Sequence, residues 1–213
     1  MTVAGRGSRN LSVVAVALAV VTSAAACSGG SGSERPASRL PPNKKAVIEK
    51  VFESRLDRLG LRLTRGALID LKTGESTASG THLAVYVEPT GPYTPDDYAR
   101  RVVAVTGVFA PLSFDMWRGL QSFDVCQEPL PAVDARPEPP PKTKVTMTRG
   151  AARKVRWKGL DLATLLIDAK RLGSRELSVY AEQEVRTTAR YQDALVRAQA
   201  SQTTSPPPPA PSY

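Results

Sequence analysis

Three kinds of residue in this 213-residue chain could do chemistry: one histidine (His82), two cysteines (Cys27 and Cys126), and a dense run of lysines and arginines from Lys142 to Arg175. A single imidazole excludes metal sites and catalytic clusters built on several histidines. The chain carries no Gly-x-Ser-x-Gly elbow and no phosphate-cradling glycine loop, so no catalytic residue, metal or cofactor is expected. His82 falls with Ala84, Tyr86 and Glu88 on the face of a strand opposite Leu83, Val85 and Val87. A general base there would need a nucleophile within hydrogen-bond reach, which spacing alone does not supply, so His82 reads as a surface or hydrogen-bonded residue. Cys126 alternates onto the same side as Asp124 and Glu128, whose charges disfavour a thiolate. It reads as a buried, inert thiol.

The cationic run is the charge feature that rises above background. Lys142–Arg175 holds ten basic and two acidic residues, in a chain with 29 Lys plus Arg against 20 Asp plus Glu. A hairpin over Lys144–Trp157, turning at Gly150, would place Lys154, Arg156 and Lys158 on one face, with Lys144 joining them if the register allows. Such a surface fits anionic lipid or a wall polymer. The plainer reading is a half-buried strand showing water a polar face, with cations that discourage edge pairing.

The leader fixes where these residues would work. Arg6 and Arg9 precede an apolar stretch, Leu11–Val21, that is too short to span a bilayer and suits a secretory signal. It ends in Ala24-Ala25-Ala26-Cys27, which resembles the lipobox of bacterial lipoproteins; that family commonly has leucine where Ala24 stands. The resemblance covers the leader alone. It implies that Cys27 is diacylglycerated and that the chain is cleaved before it and held on the outer face of the cell membrane by lipid. Nucleic acid is not expected there. With Cys27 lipidated, Cys126 would have no disulfide partner within the chain.

The remaining sequence divides by composition. Residues 1–26 read as signal peptide and 27–43 as lipidated cysteine and Gly/Ser/Pro-rich linker, whose sixteen or so residues would reach roughly 20–24 Å. Residues 44–199 read as one domain interrupted by a proline-rich loop at 129–141, and 200–213 as a proline-rich disordered tail. Within the domain, Lys44–Leu59 forms an amphipathic stripe ending at Gly60. Leu61–Leu71 and Thr81–Glu88 read as a hairpin, and Thr94-Pro95-Asp96-Asp97 as the start of a helix reaching Phe109, before Pro111. Leu112–Leu120 follows as a short helix or turn, with Trp117 as core, then a strand at Ser122–Glu128, a helix at Leu160–Leu172, a strand at Glu176–Ala181 and a helix at Thr187–Ala198. The expected fold is α+β, an antiparallel sheet with helices packed mainly on one face. The expected role is a lipid-anchored, extracytoplasmic accessory or binding protein without chemistry of its own. The alternatives are a small-ligand carrier, with a pocket between sheet and helices near Trp117 or Tyr86, and an envelope hydrolase using His82 or Cys126.

Overall fold

The computed structural model describes residues 45–77, 79–130 and 140–203. The expected signal peptide, Cys27, the linker, most of the proline-rich loop and residues 204–213 lie outside the described residues, while residues 200–203, expected to open a disordered tail, are helical. Among the described residues no helix is long and apolar enough to cross a membrane.

The elements run α1 (Lys45–Arg58), β1 (Leu61–Ile69), β2 (His82–Pro89), α2 (Pro95–Met116), β3 (Ser122–Gln127), β4 (Thr143–Thr148), α3 (Arg149–Ala152), α4 (Leu162–Leu172), β5 (Leu177–Ala181), α5 (Gln183–Arg186) and α6 (Ala189–Thr203). The five strands form one sheet in sequence order, confirming the α+β class. Three neighbouring pairs are antiparallel. The fourth, β2 with β3, is parallel, because the long helix α2 carries the chain back across the sheet between them.

Helices and sheet share one apolar layer. Leu63, Leu83, Val85, Val87, Phe123, Val125, Val145, Met147 and Leu177 meet Ile48 and Phe52 of α1 and Val102, Val105, Phe109 and Phe114 of α2. Phe52 sits against Phe109, ring centroids 4.4 Å apart, and edge-on to Trp117 at 6.1 Å. Trp117 is therefore core.

Three expectations change. First, the alternation of the first strand does not run on to Leu71. A bulge after Leu63 sets Arg65 opposite Tyr86 and Gly66 opposite Val85, so Leu61 and Leu63 share the helix-covered face with Leu68, five residues further on. Gly80 then packs so close to this strand that a Cβ there would lie 2.5 Å from the Ile69 carbonyl oxygen. Second, α2 does not stop before Pro111 but continues to Met116. The carbonyl that loses its partner belongs to Gly107, which faces solvent, and burial of Ser113, Phe114 and Trp117 rewards the continuation. Third, the second hairpin is absent. Thr148 ends β4 and caps α3, accepting from the Ala151 amide at 3.1 Å, and the antiparallel neighbour of β4 on that side is β5.

Candidate functional site

Loss of the hairpin rearranges the cationic run. Lys154, Arg156 and Lys158 lie in the irregular segment after α3, all exposed, while Val155 is buried and Trp157 half-buried between them. The segment is pinned from within: the Val155 amide donates to Ala151 O at 3.1 Å, and Trp157 Nε1 donates to Ala152 O at 3.0 Å. The outward cations thus sit on a loop fastened by two apolar side chains, and Arg153 adds a fourth exposed charge. None of the four forms an ion pair with an acidic side chain among the described residues.

Lys144 does not join them. It projects from the opposite side of β4 and pairs with Asp124 on β3. Other members of the run are also engaged: Lys142 with Glu182 (2.6 Å) and Glu184, and Arg171 with Asp168 (2.7 Å). Arg149 turns inward, and its guanidinium donates to the carbonyls of Phe114, Trp117 and Leu120. This holds the turn after α2 against α3. That turn carries Arg118, exposed and without an acidic partner among the described residues, which sequence reading passed over because it lies 35 residues before Arg153. Since Ser122 pairs with Thr148, the Arg118 turn and the Arg153–Lys158 loop leave the sheet at the same end.

The second arrangement is on the sheet face opposite α1 and α2. Register places His82 beside Ser122 and Ala84 beside Asp124. His82 Nδ1 lies 2.9 Å from Ser122 Oγ, and His82 Nε2 lies 3.5 Å from Asp124 Oδ2. All three residues are at most 7% exposed. Burial pushes the Asp124 carboxyl upward, but the donors on His82, Lys144 and Thr146 outweigh it and hold the group below its ordinary value. Asp124 Oδ1 is buried with no hydrogen-bond partner. With Asp124 on the Nε2 side, an imidazole carrying its proton on Nε2 would turn the Nδ1 lone pair to the serine hydroxyl. The hydroxyl within hydrogen-bond reach that spacing alone could not supply to position 82 is that of Ser122. Its alternation with Asp124 and Cys126 is visible in the sequence, but the parallel strand beside it is not.

Cys126 occupies the row next to Asp124, between Tyr86 and Lys144. Burial, opposed by Lys144 and reinforced by Asp124 and Glu128, pushes its thiol up to about 12, as its carboxylate neighbours lead one to expect. Further along this face, Glu128 accepts from Thr64 Oγ1 at 2.6 Å and from Arg65 Nη2 at 2.8 Å, while the Arg65 guanidinium lies 4.0 Å over the Tyr86 ring. No group of three or more metal-ligating side chains occurs among the described residues.

No family model, no curated protein and no solved structure matches this chain.

Proposed function

We propose that the protein is a lipoprotein held by diacylglycerated Cys27 on the outer face of the cell membrane, and that its Arg153–Lys158 loop contacts the anionic bilayer beside it. One observation carries this reading: among the described residues Arg153, Lys154, Arg156 and Lys158 are all exposed and without an acidic partner on one internally fastened loop, whereas Lys142, Lys144, Arg149 and Arg171 are engaged by carboxylates or carbonyls. Exposed charges without a neutralising group among the described residues are free to act on a partner. Near an anionic leaflet each cation is worth about 1 kcal/mol, so four give a contact that is weak alone and strong beside a lipid tether. Arg118, at the same end of the sheet, widens the surface. The mode of action is positioning.

The test separates tether from loop. Intact mass of the membrane-extracted protein should show the chain starting at Cys27 with lipid attached. In the full chain carrying Cys27→Ser, which takes no lipid, sedimentation with phosphatidylglycerol-containing vesicles should exceed that with neutral vesicles. The excess should fall at least tenfold when Lys154, Arg156 and Lys158 become Glu, and should fall steeply with salt. Equal sedimentation with both vesicle types, or binding to purified wall polymer in place of vesicles, overturns the bilayer contact.

A further inference from the structure

We infer that Ser122 is a nucleophile, activated by His82 and supported by Asp124, that takes the acyl group of a carboxylic ester on the face of the sheet opposite α1 and α2. Two strands joined by the α2 crossover bring the three side chains together: His82 opens β2, and Ser122 and Asp124 alternate along β3. The contacts run in a chain, Ser122 Oγ to His82 Nδ1 at 2.9 Å and His82 Nε2 to Asp124 Oδ2 at 3.5 Å. Lys144, paired with Asp124, keeps that carboxylate ionised and so able to hold the imidazole in the tautomer whose lone pair faces the hydroxyl.

Two features accompany this cluster. In Asp124, 7% exposed, Oδ1 is without a hydrogen-bond partner among the described residues, as Ser113 Oγ, Gln127 Oε1 and the ion-paired Glu182 Oε2 also are elsewhere. The cluster also stands apart from the main core: Ala84 and Cys126, its buried apolar neighbours on this face, do not belong to the apolar layer beneath the helices. Beside the His82–Ser122 row, register sets Ala67, Ala84, Asp124, Thr146 and Ser178 in one line across all five strands. The next line carries Arg65, Tyr86, Cys126, Lys144 and Tyr180, larger at every strand but β3. The ester would lie along the line of short side chains, with the serine at its margin.

In the reaction, Ser122 Oγ bonds to the acyl carbon of the ester while its proton passes to His82 Nδ1. Asp124 offsets the positive charge on the imidazole across Nε2. The bond from the acyl carbon to the alkoxy oxygen then breaks, and that oxygen takes the proton from Nδ1 and leaves as alcohol. Water, giving its proton to the same nitrogen, attacks the acyl-serine, releases the carboxylic acid and returns the proton to Ser122.

The experiment treats the full chain with an alkyl fluorophosphonate, whose phosphorus bonds to an activated serine oxygen with loss of fluoride. One adduct, mapped to Ser122 by peptide mass spectrometry, is expected. Ser122→Ala should abolish it and His82→Gln should slow it about a hundredfold or more; Asp124→Asn should also slow it, each variant being checked for an unchanged far-ultraviolet spectrum. p-Nitrophenyl acetate should give one equivalent of p-nitrophenol per chain in a burst that Ser122→Ala removes. No adduct on the wild-type chain, or labelling unaltered by Ser122→Ala, overturns the inference.

Discussion

The Arg149 guanidinium donates to the Trp117 carbonyl at 2.6 Å, and through it the first turn after β4 closes the end of α2. The same side chain reaches Phe114 O and Leu120 O, at 2.8 and 2.7 Å, and lies 4.9 Å over the Phe114 ring. A helix C-terminus leaves carbonyls without intrahelical partners, and a planar cation with five donors can serve several of them at once.

Replacing this group should be costly. Arg149→Ala should destabilise the domain by about 2–3 kcal/mol, the range for a lost charge-assisted bond that strands its acceptors. Arg149→Lys should recover less than half of that, because one ammonium cannot match three divergent carbonyls. Urea unfolding checks both, with a lower midpoint and an unchanged slope expected.

The start of the same helix gives a prediction in pH. Thr94 and Asp97 form a reciprocal cap: Thr94 N donates to Asp97 Oδ2 at 2.9 Å, and Asp97 N donates to Thr94 Oγ1 at 3.3 Å. The bonds from the Thr94 backbone and hydroxyl, ahead of the Arg100 contact, hold the Asp97 carboxyl at about 2. A carboxyl depressed in the folded state stabilises fully above its unfolded value, near 3.9, and loses that contribution as pH falls through the folded value. The stability difference between wild type and Asp97→Asn should therefore be constant above about pH 5 and shrink towards pH 2. Thermal melts across that range check it; a difference independent of pH would show that the carboxylate charge is idle.

These caps, and the strands on either side of α2, could be read from local chemistry, since Thr94-Pro95-Asp96-Asp97 acts on its own neighbours. What could not be read was which distant element lies alongside. Pro111 is a local stop signal, overridden because Phe114 and Trp117 have a core to enter. Val155 and Trp157 do alternate with Lys154, Arg156 and Lys158 in exposure, as a strand would, yet their partners are the α3 backbone and the core, and no strand lies beside them. The sequence placed His82 opposite Leu83 on its strand, and the structure agrees. The encounter with Ser122 depends on the parallel register imposed by a 22-residue crossover helix, which no local pattern records.

Cys126 closes the argument about reactivity on this face. It is 1% exposed, and burial, with Asp124 and Glu128 beside it, puts its thiol up at about 12. At pH 8 the thiolate fraction in the native state is then on the order of 10⁻⁴, and a reagent must also find a path to the sulfur. Labelling with a disulfide reagent at pH 8 should therefore wait for opening of the sheet, so its rate should rise with urea in step with unfolding. Cys126→Ser should cost about 1–2 kcal/mol, because a hydroxyl replaces a buried sulfur flanked by Tyr86 and Lys144, and should leave fluorophosphonate labelling at Ser122 unchanged. Rapid stoichiometric modification of Cys126 in native buffer, mapped by peptide mass spectrometry, would show instead that the sulfur itself is within reach of solutes in the folded state.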